Sequence, residues 1–331
     1  MTPHADADTR AMRRLLWLTL IVSLCALFFA GASSAELMLH VKGSKARMRD
    51  QTGQRSDGTV AFWNWKQAWT YGLRFHNAFP DHGRVPVISL NTMGRYGGEA
   101  ITMGAIARGK GDAYLRAINR AINDWGRPVY VRPMAEMNGH WNYYCAYNSN
   151  GTKRSPAHSQ KNYRRAFKRI YLILHGGDRA TINRKLAYSN MPGIDRSLPE
   201  NPVPRLKVIW NPQGFGSPNL PGNRAHVYYP RDAFVDVVGN DLFEGAGMPA
   251  QWKANLALFR RYPNKPYAIP EWGLLGVDHP DFIRRMGRFI RTHPRVELAA
   301  FFAAERGNPH DLANKPRSRA AYRRYVAPLN R

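Results

Sequence analysis

Two glutamates close apolar runs and open aromatic turns. The first ends Val129-Tyr130-Val131-Arg132-Pro133-Met134-Ala135-Glu136 and is followed by Met137-Asn138-Gly139-His140-Trp141. The second stands in Pro266-Tyr267-Ala268-Ile269-Pro270-Glu271-Trp272-Gly273. A pair of carboxylates at strand ends is the equipment for splitting a glycosidic bond. One carboxyl protonates the departing oxygen, and the other attacks or stabilises the sugar cation. Aromatic faces nearby give apolar area on which a sugar ring can lie. Trp141, Tyr143, Tyr144, Trp210 and Trp272 are the candidate platforms, and Asn138, His140 and Asn211 the candidate partners for hydroxyl groups. A single glutamate at a strand end would be an ordinary ion-pair partner. Two in such contexts point to chemistry.

The elements that must hold them follow from periodicity. Short β-rich runs at 37–41, 85–90, 128–133, 206–210, 235–238, 267–269 and 296–302 alternate with amphipathic stretches at 59–69, 111–125, 160–174, 249–261 and 281–292. A further weak strand is expected at 72–75. Alternation of about eight strands with helices predicts a parallel sheet. Candidate chemistry after several separate strands favours a closed (β/α)8 TIM barrel, of the α/β class, over an open doubly wound sheet. No glycine-rich dinucleotide turn follows the first strand. The glutamates lie about 135 residues apart, or three units of roughly 40 residues, which places them on strands four and seven. Facing across the barrel mouth, they would meet the separation of roughly 5–5.5 Å that a retaining mechanism requires.

Length and composition set the remaining bounds. Arg10, Arg13 and Arg14 precede an apolar run at 15–30 and the small residues Ser33-Ser34-Ala35, which predicts a signal peptide over 1–35 and a secreted protein. The run is shorter than the roughly 20 residues of a membrane span, and no other stretch is long enough, so no membrane association is expected after cleavage. Residues 36–331 then form one catalytic barrel domain, since no linker, repeat or low-complexity tract interrupts them. Cys25 falls in the signal, leaving Cys145 without a disulfide partner and packed in a loop wall. The net charge of +26 favours polyanions, with an anionic cell-wall polymer or acidic polysaccharide as the candidate partner and a generally basic surface without a dedicated partner as the alternative. A specific nucleic-acid role has charge alone behind it, with no zinc-finger spacing or RNA-binding aromatic signature. No metal or other cofactor is expected, because His140 has no ligand-spaced companion. No Gly-x-Ser-x-Gly elbow supports a serine hydrolase.

Arg132-Pro133-Met134-Ala135-Glu136-Met137-Asn138-Gly139-His140-Trp141 resembles the acid/base segment of glycoside hydrolase family 26, the β-mannanase-type branch of the clan A barrels. Segments 109–115, 208–212, 228–239 and 269–273 agree with the family in order, so the resemblance covers most of 85–302. It implies that Glu136 is the general acid/base and Glu271 the nucleophile, with polysaccharide, β-mannan first, as substrate. Burial and an ionised neighbour would keep a proton on the acid, and Arg132 would hold the nucleophile ionised. Two positions depart from the family pattern. Ala135 replaces the histidine that usually precedes the acid, and Phe243 stands where a tyrosine usually closes the sixth strand. Phenylalanine stacks but cannot donate a hydrogen bond to Glu271. The carboxylate pair survives both changes. Mannan specificity is put in question, with β-1,3- or β-1,4-glucan and β-xylan as alternatives. A non-catalytic carbohydrate-binding barrel is the rival reading. Asp241, Glu244 and Glu305 are the next acidic candidates should Glu136 not serve.

Overall fold

A computed structural model describes residues 36–66, 79, 82–303 and 305–329. Among these residues the β-rich runs form nine parallel segments: β1 (Met38–Lys42), β2 (Gly58–Trp63), β3 (Val87–Leu90), β4 (Val129–Pro133), β5 (Leu206–Trp210), β6 (Val237–Gly239), β7 (Leu242–Gly245), β8 (Tyr267–Leu275) and β9 (Val296–Phe302). Segments β1 to β6 pair in sequence order, and β9 returns to β1 in a register running from Met38–Leu298 to Lys42–Phe302. β6 pairs with the start of β8 and β7 with its end, so these two short pieces are one stave broken at Asn240-Asp241. The result is a closed barrel of eight staves.

Around it stand α1 (Lys45–Thr52), α2 (Met103–Ala107), α3 (Asp112–Trp125), α4 (Gln160–His175), α5 (Arg179–Ala187), α6 (Trp252–Arg261), α7 (Pro280–Thr292) and α8 (Pro316–Tyr325). α3 shows why they form. Tyr114, Leu115, Ile118, Ala121 and Ile122 recur at helical spacing and are all buried, while Gly126 stops the helix at φ 66°.

The expected strands at 37–41, 85–90, 128–133, 206–210, 235–238, 267–269 and 296–302 appear as β1, β3, β4, β5, β6, β8 and β9. The expected helix at 59–69 is a correction, because β2 occupies Gly58–Trp63. Val60 faces the barrel interior, Ala61 and Trp63 pack outward, and Phe62 turns to the cleft, so both faces are apolar and no polar stripe marks the strand. The weak strand expected at 72–75 lies outside the described residues. No helix among the described residues is long and apolar enough to cross a membrane.

The barrel interior is layered. Val60, Val87, Ile209, Val237, Ala268, Leu298 and Ala300 fill the floor around Tyr130. A register shift opposite Tyr267 and Ala268 leaves Glu297 unpaired in the ladder. Its carboxylate accepts from Tyr130 Oη at 2.8 Å and Lys207 Nζ at 2.8 Å, so this buried charge is paired. Above that plug the inward positions become polar, and the site begins.

Candidate active site

Arg132 is the inward residue that follows Tyr130 up β4, and only 1% of it is exposed. Its Nη1 donates to Glu271 Oε1 at 2.5 Å, and its Nη2 donates to Asp241 Oδ2 at 2.6 Å. Glu271 comes from β8 and Asp241 from the break between β6 and β7. Alternation along β8 from the inward Ala268 would turn Pro270 and Trp272 inward. The register shift between Ile269 and Trp272 reverses the phase, so Glu271 meets Arg132 and Trp272 faces the helices. Burial pushes the Glu271 carboxyl above its usual range, and the Arg132 guanidinium opposes that push. The same causes act on Asp241, whose burial is complete enough to leave it well above the usual range. Asn211 Nδ2 adds a donor to Asp241 at 3.1 Å.

Glu136 sits where β4 has left the sheet. Met134 and Glu136 adopt φ of 49° and 54°, the left-handed region that side chains with a Cβ rarely occupy. The turn is pinned by the Glu136 backbone N–H, which donates to the Asn211 carbonyl at 2.6 Å. At the side chain, Trp141 Nε1 donates to Oε2 at 2.8 Å, and the Gln213 amide donates to Oε1. Both carboxylate oxygens are thereby oriented by neutral donors.

Two cavities meet at Glu136 and Trp141. One, of about 290 Å³, is lined by Phe62, Ser89, Asn91, Arg132, Tyr143, Tyr144 and Glu271. The other, of about 450 Å³, is lined by Gln213, Phe215, Asp241, Phe243 and Met248. Glu136 and Trp141 line both, while Glu271 lines only the first.

The predicted residues divide accordingly. Glu136, Glu271, Arg132, Trp141, Tyr143, Tyr144 and Phe243 come together on the cleft. Phe243 packs edge-on against Phe302 and His310. Five expectations are corrected. Trp210 is fully buried against Tyr229 and Tyr262, and Trp272 is fully buried against Phe301 and Tyr322, so neither offers a face to a sugar. Both face outward from the barrel because strand neighbours alternate and the inward positions belong to Ile209 and Glu271. Asn138 is a buried staple. It donates to the carbonyls of Gln213 and Phe215 and accepts from the Gln213 N–H. Asn211 is buried beneath the cleft and acts on Asp241 and the Glu136 backbone. His140 pairs with Ser217 Oγ at 3.1 Å behind Trp141. Of the reserve acids, Asp241 is in the site. Glu244 instead binds the Ala250 N–H and His279, and Glu305 is exposed on a loop. Cys145 is buried and free, as expected of a wall residue.

Gln213 was not singled out by its sequence. The signal was its place two residues after Asn211 at the end of β5, where a barrel puts its reactive groups. Trp141→Phe keeps the platform and removes the indole donor. It should lower kcat/KM on polysaccharide about tenfold, the equivalent of roughly 1.4 kcal/mol, in a steady-state assay. An unchanged kcat/KM would show that the Trp141–Glu136 hydrogen bond does nothing for the reaction.

No family profile matches the chain. Endoglucanase H of Acetivibrio thermocellus is 22% identical over 287 residues, which cover 83% of this chain and 28% of that protein. This chain therefore matches little more than a quarter of that relative's length. Among solved structures, the Bacillus subtilis mannanase man26 is similar with a TM-score of 0.53 and 19% identity, over 88% of this chain and 86% of that one. A GH26 β-mannanase from Bacteroides ovatus gives a TM-score of 0.54 at 14% identity, over 90% of each. At these identities the likeness establishes the fold: this chain is a (β/α)8 barrel like those of the family 26 mannanases that its Arg132–Trp141 and Ile269–Gly273 segments resemble.

Proposed function

We propose that this protein is a retaining glycoside hydrolase acting on β-linked polysaccharide, with β-mannan as its first substrate. The observation that carries the reading is that Glu136 lines both cavities and Glu271 only one. A nucleophile must lie under the sugar it captures, and an acid must stand at the bond that breaks. The 290 Å³ cavity over Glu271 thus receives the captured sugar, and the 450 Å³ cavity receives the departing chain.

Glu271 attacks the anomeric carbon as the glycosidic carbon–oxygen bond breaks. The proton on Glu136 passes to the leaving oxygen. Water then enters, loses a proton to Glu136 and releases the sugar from Glu271. Arg132 disperses the charge of Glu271 before attack and after release. The similar solved structures include mannanases, which favours mannan over glucan and xylan. Export with cleavage before Glu36 completes the reading, and the mass of the mature N-terminus checks it.

The test is a panel of mannan, glucans and xylan incubated with the protein. Release of reducing sugar from one of them, with the β-configuration retained in the first product, supports the reading. Binding to a polymer without release, unaltered by Glu136→Ala or Glu271→Ala, would make this a carbohydrate-binding barrel instead.

A further inference from the structure

The sequence carries 49 lysines and arginines against 23 acidic residues, and the cleft does not use that excess. Among the described residues lining its two cavities, Arg132 is the one cation, set against Glu136, Asp241 and Glu271. Four of the cations line a groove elsewhere on the barrel. This groove, of about 830 Å³, opens between the loop before β2, the segment before β3 and the end of α8. The loop before β2 and the segment before β3 lead into strand N-termini, and Arg323 of α8 reaches the end of α1 beside them, whereas Glu136 and Glu271 lie toward strand C-termini.

Lys45, Arg55, Arg84 and Arg323 line the groove against one carboxylate, Asp57. Arg55, Arg84 and Arg323 are exposed. Asp57 is committed to structure. One of its oxygens accepts the Leu39 N–H at 3.0 Å, and the other accepts Arg84 Nη2 at 2.6 Å. Arg323 is aimed by its Nε, which donates to the Gln51 carbonyl at 2.8 Å. A groove with fixed guanidinium forks recognises closely spaced anionic oxygens. No aromatic residue lines it among the described residues, which gives nucleobases no stacking surface there.

We propose that this groove binds an anionic polysaccharide strand, anchoring the barrel while the cleft stays open. The proposal stands whether or not the cleft hydrolyses mannan.

The experiment measures binding of the full chain to polygalacturonate across a salt series. The triple variant Lys45→Gln/Arg55→Glu/Arg323→Glu leaves the Arg84–Asp57 pair in place. A control, Lys185→Gln/Arg120→Glu/Arg184→Glu, makes the same charge change on exposed positions of α3 and α5. The groove variant should bind at least tenfold more weakly and the control within twofold of wild type. Arg323→Gln alone, losing about threefold, tests the same point if the triple variant does not fold. Equal losses in groove variant and control would reduce the effect to net charge and overturn the proposal. So would absence of wild-type binding. Single-stranded DNA that binds more tightly than polygalacturonate, with the same sensitivity to the groove variant, would replace the polysaccharide with nucleic acid.

Discussion

Glu271→Ala is expected to cut polysaccharide hydrolysis by at least about a thousandfold, and Glu136→Ala by a similar factor, the scale on which a removed catalytic group acts. The two losses have different signatures. An aryl glycoside with a strongly acidic phenol departs without a proton, so Glu136→Ala should still form the glycosyl-enzyme from it in a rapid burst. Turnover then stalls because no base activates water. Azide, which needs no deprotonation, should restore turnover and yield a β-glycosyl azide. Glu271→Ala cannot form the glycosyl-enzyme and should show no burst, and azide standing in for its carboxylate should give the inverted α-glycosyl azide. If azide yields the β-product with Glu271→Ala and nothing with Glu136→Ala, the roles are reversed. If either variant keeps wild-type rates, the two-carboxylate mechanism is wrong for this barrel.

That the two glutamates share one cleft was legible in the sequence because each closes an apolar run, and a barrel sends every such closure to one mouth, while the split of roles between them rests on the family resemblance. The same local reasoning failed one residue further on. Trp272 follows a catalytic candidate, and that proximity argued for a sugar platform. On a strand, however, adjacent side chains point to opposite faces, so the inward turn of Glu271 sends Trp272 into the outer core. Periodicity alone would have placed Trp272 inside, and only the register shift in β8 settles the phase. Segment 59–69 failed for a related reason. A strand apolar on both faces has no alternation to read, and Thr59-Val60-Ala61-Phe62-Trp63 fits either period. Gln213 and Asn138 belong to a third kind. Their contacts join the turns after β4 and β5 across about 75 residues, and they exist only once the barrel has closed. Asp241 needed the break between β6 and β7, which no residue in Gly239-Asn240-Asp241-Leu242 announces.

Arg132 joins these parts, and its removal should have the largest effect on stability. One guanidinium faces the buried carboxylates of Glu271 and Asp241, and the Glu136 carboxylate also acts on it. Arg132→Met fills much of the volume and withdraws the charge. Breaking a buried pair in this way costs about 3 to 5 kcal/mol, because the partner is left in low dielectric without compensation. The pH dependence identifies the cause. Glu271 and Asp241 already have raised folded-state pKa values, and loss of Arg132 raises them further. A carboxyl whose folded pKa exceeds its unfolded value costs stability once the unfolded group ionises, and that cost disappears below the unfolded pKa, near 4. The destabilisation of Arg132→Met, read from urea midpoints, should therefore be greatest at neutral pH and shrink as pH falls toward 4. Over the same range the acidic limb of its residual activity should move to higher pH, because Glu271 must lose its proton to attack. Arg132→Lys restores the charge but not the two-pronged fork, so it should recover part of the stability and leave the acidic limb between the two. A loss of stability equal at pH 4 and pH 7 would mean that Arg132 serves by packing alone, and the coupling drawn here between the buried charge cluster and the nucleophile would fall with it.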